Sequence, residues 1–495
     1  MLPKIRIAAL AALALTAPLL VIPSVAAGAA APVKKVLVVG MDGLNWAKVI
    51  EASAPTLDGL AANGTLGQSL LYCGTVAASS SGPGWSTIAT GTWPDKHGVR
   101  DNTFSGKQYG TYPDFLTRLE QVNSSLSTLS ILDWKPLHAQ GTFGAGVDSR
   151  ITYDGDANGY VGEDVKVTND AVSRLRDTNV DAAFVYLGNT DVVAHASGTG
   201  SAYINAINKQ DQQLKQMLDA VAARPGYANE DWLIVVTTDH GHAVPGGGHG
   251  GCGMDERRTW ILSNKGGGIS PIDTRLVDVA PTVFSHLGVS VDPSWNLDGK
   301  PVNVRSSDPF DALPLQSRVH ETGIASSVLG WTPNGPSGWS VLRNAMPSGG
   351  VTEWRGWSFS NEEFWTRTQS SQNRENGLRT RGIFAVADSD EFADRSGGTS
   401  FDSTLVSPAF TVSGGAYTLR YVTHYLQEGS QTGDVLVSYN GGADVLVKRY
   451  SADARAKVEA LSLTAPAGTT SVRVKFRYYN ASNNWYWVID DLRIS

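Results

Sequence analysis

Val36-Leu-Val-Val-Gly-Met-Asp42-Gly43 is a run of buried-strand residues that closes in an aspartate. Two later runs do the same: Ala183-Phe-Val-Tyr-Leu-Gly-Asn-Thr-Asp191 and Leu233-Ile-Val-Val-Thr-Thr-Asp239-His240. Near-continuous apolar strands are those covered on both faces. Helices fall between them. Ile204, Ile207, Asp211, Leu214, Leu218 and Val221 recur at three- and four-residue spacings, and Pro55 to Asn63-Gly64 has a proline start and a glycine stop. This alternation, from Lys34 to about Leu297, predicts an α/β domain with a largely parallel sheet. In such a sheet the carboxyl ends of strands form the ligand crevice, so the three aspartates are expected to converge on one site.

Histidines join them. Asp191-Val-Val-Ala-His195 spaces a carboxylate and an imidazole by four residues, Asp239-His240 is an adjacent pair, and Gly246-Gly-Gly-His249-Gly-Gly carries a third imidazole on a flexible loop. Singly, each would read as a capping aspartate or a surface histidine. The chain has only nine histidines, and three lie within or just beyond two strand-end motifs, which suits zinc or a similar divalent ion. Ser81 precedes Gly-Pro at the expected start of a short helix ending at Gly91, where free N–H groups and a partial positive charge face an anion. On the motif alone, an ordinary Ser N-cap is the favoured reading.

Composition bounds the rest. At 495 residues with 41% apolar and 18% charged side chains, the chain can bury large cores, and two cysteines exclude a disulfide framework. A formal charge of −7 argues against a stable nucleic-acid complex. Residues 1–29 read as a secretory signal: a cationic start, an apolar run from Ile7 to Ile22 interrupted by Pro18, then small residues. The run is too short for a transmembrane anchor. The expected location is therefore secreted, extracellular or periplasmic, where Cys73 and Cys252 could be joined, although sequence separation leaves their proximity open.

Five motifs carry a family resemblance: Gly40-Met-Asp42-Gly, Ser81-Gly-Pro-Gly-Trp-Ser-Thr-Ile-Ala-Thr-Gly91 continuing to His97-Gly-Val-Arg-Asp-Asn102, Asp191-Val-Val-Ala-His195, Thr238-Asp-His-Gly241 and Asp278-Val-Ala-Pro-Thr282. In this order they resemble the alkaline phosphatase superfamily, and within it the type I phosphodiesterase/nucleotide pyrophosphatase family. The resemblance implies two divalent metal ions, zinc first and manganese or calcium as alternatives. One ion would take Asp42, Asp239, His240 and the Ser81 oxygen; the other Asp191, His195 and a later histidine, best matched by His249 with His242 as the weaker rival. Spacing from both Gly91 and Asn102 favours Ser81 over Ser79 or Ser80 as nucleophile. Asn102 would steady a phosphoryl oxygen together with backbone N–H groups at the helix start.

The implied chemistry is a two-metal in-line displacement with the ions about 4 Å apart, through a phosphoseryl intermediate. Departures from the family matter too. Gly-Pro-Gly-Trp follows Ser81 where nucleotide pyrophosphatases carry Phe-Pro-Asn-His, so no nucleotide-base pocket is implied. Trp85 stands where sulfatases need an arginine to direct formylglycine formation, so Ser81 is expected to remain a hydroxyl. The leading reading is a phosphodiesterase acting on a small phosphate ester. A phosphomonoesterase or sulfatase-like hydrolase, and a non-catalytic cell-surface binding protein, are the alternatives. His97 and Asp101 read as supports of the Asn102 loop and Asp278 as a helix cap.

The chain divides at the motifs' end: 33–300 catalytic, 301–352 connecting, rich in Ser, Pro, Asn and Gly without sustained period, and 353–495 β-rich. Val472-Arg-Val-Lys-Phe-Arg-Tyr478 alternates strictly, as in a half-buried strand. With runs at Phe401–Phe410, Tyr417–Tyr425 and Asp434–Tyr439 it predicts an antiparallel sandwich. The stretch resembles the jelly-roll, MAM-like accessory modules of secreted bacterial proteins. Trp485, Tyr486 and Trp487 could offer carbohydrate or cell-surface contact, with core burial the stronger reading, and Asp388, Asp390 and Glu391 could bind calcium or simply form a solvated turn.

Overall fold

The computed structural model describes residues 31–74, 76–266, 274–304, 306–377 and 379–495; the expected signal segment lies outside them. The first sheet is built from β1 (Val33–Met41), β2 (Thr65–Leu70), β3 (Thr128–Leu132), β4 (Ser149–Thr152), β5 (Ala182–Leu187), β6 (Glu230–Thr237) and β7 (Arg258–Ser263). Its strand order is β2-β7-β6-β1-β5-β3-β4. The five strands from β6 to β4 are parallel, while β7 runs antiparallel to both β6 and β2. β1 pairs with β5 on one side and β6 on the other, so the strand order reverses at β1. That places the crevice at the ends of the three strands that the sequence closes in aspartates.

Seven helices matter to the site: α1 (Pro55–Asn63), α2 (Ser81–Thr90), α3 (Phe115–Val122), α4 (Tyr160–Asp177), α5 (Asn189–Ser197), α6 (Ser201–Ala222) and α7 (Val279–Leu287). Successive strand residues point to opposite faces. Val36 and Val38 of β1, with Phe184 and Val235, pack against Trp85 and Ile88 of α2 and Val283 and Phe284 of α7. Leu37, Val39 and Met41 face the other way, with Val185 and Val236, onto Val167 and Leu175 of α4 and Ile207, Leu214 and Met217 of α6. Two cores on the two faces of one sheet explain why the strands read as continuous apolar runs.

The C-terminal half is a β-sandwich of two antiparallel sheets. One orders its strands Ala454–Ala465, Gly415–Tyr425, Tyr486–Ile494, Ile383–Asp388, Ser358–Asn361, Leu329–Thr332 and Gln316–Ser317. The other runs Ser340–Arg343, Phe401–Val406, Ser471–Ala481, Thr432–Tyr439 and Asp444–Tyr450, with Phe410–Thr411 paired to Ser471–Ala481. Val472, Val474, Phe476 and Tyr478 are fully buried, as the alternation predicts. Three strands of the sandwich lie in the segment read as a connector; at two to four residues each, they are too short to show a period.

Tyr486 and Trp487 are fully buried in the sandwich core, edge-to-face with Trp365, Tyr425 and Phe476, so they offer no surface to a carbohydrate. Asp388, Asp390 and Glu391 close on the buried Arg374 guanidinium at 3.0, 3.1 and 2.9 Å, which replaces the solvated turn and leaves no calcium requirement.

The two halves meet through charged contacts. Glu362 grips Arg257 and Arg275, each at 2.7 Å, Arg379 reaches Asp95 at 2.8 Å, and Arg381 binds Asp278. Asp278 also accepts the Lys300 and Arg275 amides, so it caps the turn before α7 and ties two segments together rather than capping α7 through its side chain.

Candidate active site

Four strand or helix ends meet above β1. Asp42 follows β1 and is buried; its Oδ2 accepts from Trp85 Nε1 at 2.9 Å and from Tyr186 Oη at 2.6 Å, while its Oδ1 has no hydrogen-bond partner. Asp239, past β6, accepts the Gly43 amide at Oδ1 (3.2 Å), and its Oδ2 is likewise unpartnered. His240 Nε2 lies 3.4 Å from Asp42 Oδ1, 3.3 Å from Asp239 Oδ2 and 3.3 Å from Ser81 Oγ. Ser81 is the first residue of α2 and nearly buried. Gly84 allows this approach: a Cβ there would lie 2.7 Å from the Asp239 Cβ.

The second group forms beside it. Asp191 sits in the first turn of α5 and His195 one turn later. Asp191 Oδ1 is a buried atom without a hydrogen-bond partner, 3.1 Å from His242 Nε2, 3.5 Å from His195 Nε2 and 3.6 Å from His249 Nε2. His249 arrives on the loop after β6, where its Nδ1 meets the Ser79 carbonyl at 2.7 Å. A disulfide between Cys73 and Cys252, with Cα atoms 5.2 Å apart, joins that loop to the segment before Ser81 and resolves the pairing that sequence left open.

The electrostatics set buried carboxyls against imidazoles. Burial, and then the Asp191 charge, push the Asp42 carboxyl up to about 8, and burial with Asp42 raises Asp239 well above the carboxylate range. Burial would raise Asp191 too, but the His242, His240 and His195 imidazoles bring it down to about 2. Burial lowers His240 and His249, which keeps them neutral and able to donate lone pairs. Three sets, Asp42/Asp239/His240, Asp191/His195/His249 and Asp191/His240/His242, each bring their donor atoms within 4.8 Å of one another. Orphaned carboxylate oxygens facing neutral imidazoles form a donor set that fits divalent cations.

Asn102 lines the same cavity as Ser81, and its Oδ1 accepts from the Gly82 amide (2.7 Å) and Ser80 Oγ (3.0 Å). The Gly82 amide, expected to face substrate oxygens, is thus engaged with Asn102, whose Nδ2 side is left for a ligand. His97 is buried between Thr87 and the Val99 amide, and Asp101 turns the loop through Thr103, which fixes Asn102 in place. The cavity encloses about 230 Å³ and adds Trp134, Asp156 and Tyr160 as walls. Sequence reading missed these walls, and also Trp85 and Tyr186 as the donors that orient Asp42. Their apolar setting made them look like core.

A family model described as type I phosphodiesterase / nucleotide pyrophosphatase matches residues 36–244. The match falls on the α/β part of the chain, which carries the site. That part is a hydrolase fold of the alkaline phosphatase superfamily, and the match stops short of His249, the connecting segment and the sandwich. No curated protein matches the chain. Among solved structures it is similar to BT1596, a 2-O GAG sulfatase, at 12% identity over 76% of this chain and 83% of that one, with a TM-score of 0.44. It is also similar to murine ectonucleotide pyrophosphatase / phosphodiesterase 5, at 16% identity over 42% and 57% of the two chains with a TM-score of 0.32. The lipoteichoic acid synthase LtaP from Listeria monocytogenes aligns at 16% identity over 53% and 74%, with a TM-score of 0.38.

Proposed function

We propose that this protein is a secreted metal-dependent phosphodiesterase that uses Ser81 as its nucleophile. The observation that carries the reading is Ser81 Oγ, 3.3 Å from His240 Nε2 and beside the orphaned Asp42 Oδ1 and Asp239 Oδ2. Asp42, Asp239, His240 and Ser81 would hold one divalent ion, and Asp191, His195 and His249 a second, with zinc the best match to mixed imidazole and carboxylate donors. When bound, such ions supply Lewis-acid charge and lower the pKa of a coordinated hydroxyl.

The chain's own residues do the rest. Ser81 Oγ would attack phosphorus as the bond to one ester oxygen breaks, that alcohol leaving with the serine's proton. The remaining phosphate ester would stay on Ser81 until water cleaves the Ser81–phosphorus bond and releases a phosphate monoester. Asn102, pinned by Gly82 and Ser80, presents its amide to a nonbridging oxygen. Trp85 and Tyr186 hold Asp42 in a single orientation.

Two features support a diester. The cavity around Ser81 is lined by no lysine or arginine among the described residues, which suits a singly charged group better than a dianionic monoester. Trp85 occupies the position a sulfatase would need for arginine and is committed to Asp42, so the Ser81 hydroxyl stays unmodified. Secretion is supported by residues 1–29 and by the disulfide, which fits an oxidising compartment. No helix among the described residues is long and apolar enough to cross a membrane.

The test compares one metal-loaded sample on bis-p-nitrophenyl phosphate, p-nitrophenyl phosphate and p-nitrophenyl sulfate. The diester should turn over fastest, and Ser81→Ala should lower that rate by at least about 10³-fold with an unchanged melting temperature. A faster monoester or sulfate rate, or full diester activity in Ser81→Ala, contradicts the reading.

A further inference from the structure

We infer that His242 is an additional metal-binding residue of this centre, set between the two groups of ligands; the inference rests on the metal-dependent reading above. His242 is fully buried. Its Nδ1 lies 2.8 Å from the Gly247 carbonyl, an atom that can only accept, so Nδ1 carries a proton. Its Nε2 is the nitrogen turned toward the centre, and that atom stands 3.1 Å from Asp191 Oδ1.

Neither atom makes a well-aligned hydrogen bond, and Asp191 Oδ1 also has the His195 and His249 Nε2 atoms at 3.5 and 3.6 Å. A carboxylate oxygen and imidazole nitrogens grouped this closely make a donor set for one divalent cation. Asp42 Oδ1 and Asp239 Oδ2, atoms of two expected ligands, are orphaned in the same way. Burying such groups is costly unless something compensates them, so these four atoms around one centre suit a divalent cation.

The backbone is arranged to hold this ring. The His242 amide donates to Asn45 Oδ1 (2.6 Å), and Asn45 Nδ2 donates back to the His242 carbonyl (2.9 Å). Tyr203 fixes the hinge by accepting the Asn45 amide and donating to the Gly43 carbonyl. Gly43, at φ +62°, leaves the space: a Cβ there would come within 2.3 Å of His242 Nε2 and 3.0 Å of Asp191 Oδ1. His195, His240 and His249 surround the ring with centroids 5.2 to 5.5 Å away, and His242 shares a 4.8 Å donor set with Asp191 and His240. It therefore links the two expected sites and raises the share of imidazole donors, which favours zinc over magnesium or calcium.

The test uses the full chain labelled with ¹⁵N-histidine and loaded with ¹¹³Cd. The expected result is a scalar coupling between cadmium and Nε2 of His242, assigned by its absence in His242→Gln, with Nδ1 still protonated. A residue that only orients Asp191 would give no coupling. Dialysed His242→Ala and His242→Gln should also bind zinc more weakly by more than about 10-fold, checked by metal analysis alongside circular dichroism. A protonated, uncoupled Nε2 in the loaded wild-type protein overturns the inference even if a variant fails to fold. If Asp42→Asn and Asp191→Asn also leave metal content unchanged, the metal-dependent reading falls with it; if they lower it and His242 stays uncoupled, only this inference falls.

Discussion

The molecule buries acidic clusters in two places and resolves them in opposite ways. In the sandwich, Asp388, Asp390 and Glu391 close on Arg374, whose guanidinium is itself packed over Trp365 and Tyr486. What the guanidinium does not offset is met by a proton: burial pushes Glu391 up to about 9 against the pull of Arg374. At the strand ends, Asp42, Asp191 and Asp239 have imidazoles beside them and, among the described residues, no arginine or lysine paired to them. A cluster that carries its own cation is structural, whereas one that faces neutral lone pairs is built for a cation from solution. Similar acidic runs in a sequence can therefore mean different things, and the nearest guanidinium decides between them.

The largest expected effect is at Asp239. Asp239→Asn keeps the acceptor for the Gly43 amide but removes a charge, so diester turnover should fall by at least about 10³-fold while the chelated protein melts no lower than wild type. A lower melting temperature in the chelated state would make this cluster structural after all. Arg374→Met should do the reverse, costing about 3–5 kcal/mol of stability by leaving buried carboxylates uncompensated, with activity per folded molecule retained. Urea unfolding and active-site titration of that variant separate the two quantities.

A smaller effect is expected with pH. The Asp42 carboxyl is raised from 3.8 to about 8 in the metal-free fold, so its contribution is fully present below pH 3.8 and is lost as pH rises toward 8. The slope is at most about 1.4 kcal/mol per pH unit. The melting temperature of chelated protein should fall across that window relative to Asp42→Asn, and metal should remove the difference. Parallel curves for the two chelated proteins would count against the assignment.

Much of this was legible in sequence because strand-end motifs are local. β1, β5 and β6 announce themselves as apolar runs, and each delivers its aspartate within a few residues of the strand. The alternation from Val472 to Tyr478 gave a sandwich strand for the same reason. Features that depend on distant partners were not legible. His242 reads in sequence as the weaker rival of His249, and its place beside Asp191 Oδ1 emerges only in the fold; Trp85 looks like core until its N–H is seen on Asp42. The strands Gln316–Ser317, Leu329–Thr332 and Ser340–Arg343 are shorter than any period could reveal. Asp388 could not be separated from a calcium ligand until Arg374, fourteen residues earlier, was placed against it.

The most direct test of the contrast between the clusters measures bound metal per chain and bis-p-nitrophenyl phosphate turnover on the same sample through chelation and stepwise zinc return. Turnover should vanish in the metal-free protein and return as the second equivalent binds. Full diester turnover by protein shown to be free of metal would contradict the account.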